Sequence, residues 1–518
     1  MNNPNNPDVE KAYGTPGNVE TIISKLYQQM FNGIHNSSDD IWTQSMTMSF
    51  ESHSQLGNFG MGTRAAIPRS PIDNGIGNTV ATGNFRDFDH LSRNARSAAN
   101  AISALNEFIA QNLSTGGAAR DARALAFAWF TAGYAHGQLS LSYDSAVVIK
   151  PGIGADEIPA FAAAKDVNVY ALQSLDSAIA WAGKATGQSI PVEWISATAA
   201  MPMTDLVRIA RSYKARFRAG MARTPTERGA VDWNAVIADA TNGITSDFIV
   251  NANATTGWGL AVLTQLRVSS GWSQMTPMIL GMADTSGAYK AWIGTPLMQR
   301  SAFLLKTPDK RFPSGETRAA QNTASGGASK NGTPAGTILY FRNRPPGEDT
   351  PAEPWGTWYY DNHRFWAIGA GGGNGPFVEF SAAENDMLAA EGYLRTQQIP
   401  KATPLIDKYR TRAGLPSVAA ITDLTTPVPG GSACVPQVPA GPSFTTTVCG
   451  NLMEAMKWEK RVETSFTGYA QWFYDARGWG DLVRGTALEW PVPYQELFAR
   501  QLASYTNLKA AAVGTYGF

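Results

Sequence analysis

The stretch WEKRVETSFTGYAQWFYDARGWGDLVRGTALEWPVPYQEL, Trp458 to Leu497, decides the reading of this chain. It opens inside a helix expected from Leu452 to Phe466 that carries Glu459, Arg461 and Glu463, and runs on through Trp472, Phe473, Asp475, Arg477, Trp479 and Gly480. Gly485 follows, and then Pro491, Val492 and Pro493 before Glu496. Trp479, Gly480, Pro491 and Pro493 suit a helix exit and a turn, because proline fixes φ and glycine permits close approach. Glu459 and Glu463 fall on one helix face near Lys460, which reads as an exposed or interface ion-pair network. Two carboxylates are also the minimum a glycosidase needs, as are Asp39 with Asp40 and Glu384 with Asp386.

Upstream, helical periodicity marks Ala383 to Arg395 and Lys401 to Ala413, and in the N-terminal half Val167 to Trp181, Thr204 to Phe217 and Trp233 to Ile244. A stripe from Phe85 through Phe88, Leu91, Ala95, Ala98, Ile102, Leu105 and Ile109 predicts a helix. A partner carries Leu125, Trp129, Phe130 and Tyr134, with Ala126, Gly133 and Gly137 small enough for close helix contacts. At the front, Thr15 can cap and Pro16 suits the first turn of a helix striped by Val19, Ile22, Ile23, Leu26, Tyr27, Met30 and Phe31. Residues 34–84 and 251–380 show no such period. The expectation is one discontinuous domain over 1–518, mainly α. Paired helices would lie at 15–33, 85–250 and 383–518, and irregular segments at 34–84 and 251–380. No strict repeat of about 34 residues is present, so any solenoid is degenerate.

Of the 518 residues 43% are apolar and 16% charged, which is core-forming rather than disordered. Lys plus Arg and Asp plus Glu balance at 42 each, leaving no global field for nucleic acid. No apolar run approaches the roughly 20 residues that span a bilayer. Met1 opens on Asn, Pro and Asp with no leader pattern, so the chain is either cytosolic or lacks an export signal it once carried. Cys434 and Cys449 stand 15 positions apart in a Pro/Gly/Thr-rich segment. They are read either as a disulfide closing a surface loop, favoured because an even pair in a loop fits an oxidising compartment, or as two unrelated thiols.

Catalytic and metal signatures are weak. His35, His53, His90, His136 and His363 are far apart, with no pair at ligand spacing, and no G-x-S-x-G elbow occurs. GAGGGNG, Gly369 to Gly375, lacks the third glycine of a dinucleotide fingerprint and reads as a turn. The sequence therefore points to no metal, no cofactor and no catalytic residue. Aromatic-polar clusters are the better lead: WGTWYYDNHRFW, Trp355 to Trp366, and the dispersed Trp258, Trp272, Tyr289 and Trp292. A sugar ring stacks its apolar face on indole or phenol. The candidate ligand-binding residues are Trp42, Trp258, Trp272, Tyr289, Trp292, Trp355 and Tyr359, each of which could instead pack a core.

The Trp458–Leu497 stretch resembles the closing signature of the RagB/SusD family of nutrient-uptake lipoproteins, an E-x-R-x-E helix followed by D-x-R-x-W-G and P-[IV]-P. NPNNPDVEKA, Asn3 to Ala12, is similar to that family's mature start. Glu384 to Pro416, with AAEGYLRT and YRTRAGLP, is similar to its paired helices. The resemblance implies tetratricopeptide-like helix pairs with a large loop-rich ligand-binding half. It also implies a non-catalytic protein on the outer membrane's cell-surface face, capturing an oligosaccharide or peptide for a TonB-dependent transporter of the SusC type. Membrane attachment would be through a lipid anchor only; no lipobox cysteine precedes Asn2 here. The alternatives are a helical glycoside hydrolase or lyase, and a surface structural or fibre-forming protein on the same scaffold.

Overall fold

A computed structural model describes residues 12–54, 57–154, 157–261, 275–326, 336–345 and 354–518. Trp272 and the N-terminal motif up to Lys11 lie outside the described residues.

The first helix, α1 (Pro16–His35), starts where its cap dictates: the Thr15 hydroxyl accepts from the Asn18 amide at 3.2 Å. Its stripe of Val19, Ile23, Leu26, Tyr27, Met30 and Phe31 is buried. Residues 34–84 are not wholly irregular: α2 (Ile41–Met48) lies within them, capped by Asp40, whose Oδ1 accepts from the Thr43 amide at 2.8 Å. Its sequence IWTQSMTM shows no polar face because every one of its residues is buried, so the contrast that marks a surface helix is missing.

Long helices α3 (Ala81–Ala110) and α4 (Ala118–Ser142) pack on each other, and α1 packs on α3. The stack continues through α5 (Ala164–Ala182), α6 (Met203–Gly220), α7 (Trp233–Thr241), α8 (Ala382–Arg395) and α9 (Ile399–Arg410), each against its predecessor. The fold is thus mainly α, built of paired helices, and α7 meets α8 although residues 242–381 separate them in sequence. Steric room sets two of these contacts. A Cβ on Gly133 would come within 2.8 Å of Leu175 on α5, and one on Gly137 within 2.1 Å of the Phe217 ring on α6.

Between α7 and α8 the chain makes short elements. Strand β1 (Phe248–Ala252) pairs antiparallel with β4 (Gly375–Phe380), and β2 (Phe341–Asn343) with β3 (Tyr360–Asn362). The GAGGGNG segment is a turn into β4, with Gly372 and Gly373 at φ 70° and 82°. This half has its own apolar core, in which Met278, Tyr289, Trp292, Phe312, Trp355 and Trp358 meet Trp458 and Trp472 from the C-terminal stretch.

That stretch contributes to α10 (Leu452–Thr464) and α11 (Gln471–Trp479), and the charges it places on these two helices are sealed inside rather than exposed. On one face Glu459 and Glu463 share the Arg311 guanidinium, at 2.7 and 3.1 Å. Arg412 reaches Glu463 at 2.7 Å and Arg410 lies 3.7 Å from Glu459, so the R-x-R at the end of α9 and the E-x-x-x-E of α10 serve one network. On another face Lys457 and Arg461 hold Asp481. Lys460 turns not to the glutamates but to Asp475, 2.8 Å away, which Arg228 also binds at 3.0 Å while pairing with Glu391. The helix ties the helical stack to the loop-rich half. Cys434 and Cys449 are disulfide-bonded, joining the approach to β5 (Gln437–Ala440) with the end of its hairpin partner β6 (Thr446–Cys449).

Candidate functional site

The structure buries most of the proposed aromatics, although Tyr289 also lines a cavity of about 410 Å³ with Asp284, Lys290 and Gln437. Trp42 is 0% exposed, wedged by α2 between His35, Phe377 and Tyr469 at ring distances of 5.3 to 6.1 Å. Trp258 packs on Tyr27 and Phe31 of α1. Tyr289, Trp292 and Trp355 are at most 4% exposed, inside the core of the loop-rich half. These five are core residues. Indoles carried on an irregular segment can cover either a ligand or that segment's own backbone, and here the segment needs them for a core of its own. Tyr359 is half-buried beneath the Arg318 guanidinium, 4.2 Å from its ring.

Three of these buried rings nevertheless back a cavity of about 250 Å³ where the two irregular segments meet the C-terminal end. Ile67 comes from the first irregular segment; Met278, Ile293, Leu297 and Arg300 come from the second. Phe444, from the turn between β5 and β6, and Tyr516 to Phe518 close it. Behind this wall the Tyr289 hydroxyl donates to the Met278 carbonyl at 2.8 Å, and Tyr289 stacks on Trp292 at 6.0 Å. Phe50 meets both Trp355 and Phe518, at 6.3 and 6.0 Å.

Phe444 and Phe518 are only half-buried, so each keeps part of a ring open. The Phe444 ring lies so close over Gly517 that a Cβ there would sit 2.2 Å from it, and Gly517 has φ 76°. Phe444 and Phe50 themselves hold φ of 51° and 64°, a left-handed backbone that bulky L-residues avoid at a cost of about 1–3 kcal/mol each. Arg300 lies over the Trp292 ring at 4.5 Å, and burial holds its guanidinium below the usual arginine range. Sequence reasoning missed Arg300, Phe444 and Phe518. They come from three separate segments, and no local pattern brings them together.

Other cavities offer less. One of about 570 Å³ on the helical side carries the Asp205–Arg208 pair, 3.6 Å apart, whose charges cancel. One of about 440 Å³ has Phe312, Ile338 and Leu339 beneath Lys310 and Arg412. Most of the candidate carboxylates are engaged internally: Glu384 accepts two bonds from Arg216 at 2.7 and 2.6 Å, and Glu459 and Glu463 are at most 1% exposed. Asp386 accepts from Lys408 and from the Tyr409 hydroxyl, both at 2.7 Å. Asp40 caps α2 and is buried, while Asp39 beside it is half-buried. Among the described residues no group of three His, Cys, Asp or Glu is placed to hold a metal ion, and no helix is long and apolar enough to cross a membrane.

At the level of sequence, no family model and no curated protein matches this chain. Its structure does have relatives. A SusD superfamily protein from Bacteroides vulgatus superposes with a TM-score of 0.54 at 12% identity, over 94% of this chain and 97% of that one. A SusD-like protein from Bacteroides fragilis gives 0.55 at 12% identity, over 97% and 98%. The fold is SusD-like. A laminarin-binding SusD-like protein shares it as well, with a TM-score of 0.53 at 13% identity over 95% of this chain and 99% of that one. Within the SusD-like fold the cavity at Arg300 and Phe444 lies where the irregular segments meet the C-terminal part, and the Trp458–Leu497 stretch, mostly buried, adds Val483 to its wall.

Proposed function

We propose that this chain is a non-catalytic capture protein for an oligosaccharide, exported to the outer membrane's cell-surface face and delivering its ligand to a TonB-dependent transporter of the SusC type. The observation that carries the reading is the cavity where half-open Phe444 and Phe518 rings stand over an aromatic backing. Ring faces of this kind match the apolar face of a sugar, and the backing holds them rigid. Three features support the setting. The fold is shared with a laminarin-binding protein, the Cys434–Cys449 disulfide fits an oxidising compartment, and buried arginines occupy Glu384, Glu459 and Glu463, three of the carboxylates considered for hydrolysis.

Calorimetry with glycan and peptide panels tests it. Binding in the micromolar range, about −8 kcal/mol, is expected for a glycan, with a loss of about tenfold or more on Phe444→Ala. Silence across both panels, or release of products by the purified protein, contradicts the reading. Recovery from native membranes without any transporter barrel contradicts the delivery step.

A further inference from the structure

We infer that the cavity at Arg300 selects oligosaccharides bearing an anionic substituent, a carboxylate or a sulfate, which the Arg300 guanidinium grips; this rests on the glycan-capture reading above. A guanidinium has five N–H groups. Oxygen acceptors take two of those on Arg300: Nε donates to the Thr295 carbonyl at 2.9 Å and Nη2 to the Ile293 carbonyl at 3.0 Å. Nη1 has only the Met278 thioether, at 3.9 Å. No carboxylate of the described residues lies within 4.0 Å, although burial makes an uncompensated charge costly here.

Most buried cations of the chain are not left this way, Arg64, which donates to the Ser70 and Pro71 carbonyls at 3.1 Å and lines none of the cavities above, being one exception. Arg216, Arg228, Arg311 and Arg342, all buried, each meet a carboxylate within 3.0 Å. Arg477 binds only the Leu488 and Gly220 carbonyls, but it is sealed in the interior at 1% exposure. Arg300 differs because it opens on a cavity.

The two carbonyl bonds and the Trp292 ring beneath fix the plane of the guanidinium, so its remaining donors are held ready. Planar, two-pronged contact is how arginine prefers to meet a carboxylate or a sulfate-like group. One ligand can lay a ring on Phe444 or Phe518 and present its charge to Arg300. A neutral sugar satisfies fewer of those donors and leaves the charge desolvated, which is a basis for discrimination rather than for binding alone.

The test titrates the full chain with three length-matched probes: a neutral β-glucan oligosaccharide, an oligogalacturonate and a sulfated galactan oligosaccharide. At least one charged probe is expected to bind about tenfold or more tightly than the neutral one, with a preference that shrinks as salt rises. The charged probe that wins identifies the anion. Arg300→Gln brings that preference to within about twofold, and Arg300→Lys restores part of it, which a purely structural role for Arg300 would not produce. If Arg300→Gln fails to fold, the salt dependence of the unmodified chain and the Arg300→Lys titration still decide. Should the neutral probe bind as well as both charged ones, and Phe444→Ala abolish it, anion selectivity falls while glycan capture stands. Absence of binding by all three probes overturns both.

Discussion

Replacing Arg311 with methionine would remove the cation on which the junction between the two halves turns. Its guanidinium holds both oxygens of Asp309, at 2.9 and 2.7 Å, and one oxygen each of Glu459 and Glu463, at 2.7 and 3.1 Å. All three carboxylates are at most 1% exposed. Methionine keeps most of the apolar stem and none of the charge, so three carboxylates would be left to Arg410, 3.7 Å from Glu459, and to the half-exposed Arg412. Stripping one partner from a buried ion pair costs about 3–5 kcal/mol, a large share of the roughly 5–15 kcal/mol that holds a folded protein. Protonation relieves part of this, because burial already pushes the Glu459 carboxyl up to about 7. Without Arg311 the Glu459 value rises further, and Glu463, which against its burial the neighbouring arginines including Arg311 hold below the usual range, rises as well, so stability is retained at low pH and lost as pH rises through them. The assay is urea unfolding at pH 5 and pH 8, followed by tryptophan fluorescence. About 3–5 kcal/mol should be lost at pH 8, less at pH 5, and part regained when Glu459→Gln is added. A loss under about 1 kcal/mol at pH 8, or a larger loss at pH 5, would refute the reasoning.

Glu51 provides a second pH signal: burial raises its carboxyl from 4.5 to about 8, against one bond from the Phe466 amide. Its folded form holds a proton the unfolded chain releases, so stability is full below pH 4.5 and falls by up to about 5 kcal/mol as pH rises to 8. Glu51→Gln keeps the acceptor and should gain on the parent protein steadily between pH 5 and pH 8; a constant difference in urea midpoints would sink the idea. Trp42→Ala and Trp258→Ala should each destabilise by about 3–5 kcal/mol and leave glycan affinity unchanged, the reverse of Phe444→Ala, when thermal unfolding and calorimetry are run side by side. Breaking Cys434–Cys449, which closes a loop of 15 residues, should cost at most about 3 kcal/mol. Alkylation without reductant should add no mass, and two labelled thiols would contradict the bond.

Helices were readable where one face meets solvent, as at α1, where Thr15, Pro16 and the Val19-to-Phe31 stripe name both start and orientation. The same logic failed at α2, which has no solvent face to contrast with its buried one. Spacing placed Glu459 and Glu463 on one side of a helix. It could not show that their partner would be Arg311, separated from Glu459 by 148 positions, nor that the network would be buried. For the site, aromatic content in the loop-rich half was visible, but which rings turn inward was not. An irregular segment has no period to set inside against outside, and Tyr289, Trp292 and Trp355 went inward. Arg300, Phe444 and Phe518 become neighbours only once the fold has closed.

Because α10 supplies the charges and indole that complete the core of residues 275–380, that half waits for a part made late in the chain. The helical stack up to α7 can assemble as it emerges, while the ligand-binding half has unfinished walls until residues beyond Leu452 arrive. Order of maturation is thereby written into connectivity: the helices up to α7 can become rigid first, and the pocket waits for Phe444 and for Tyr516 to Phe518 to close it.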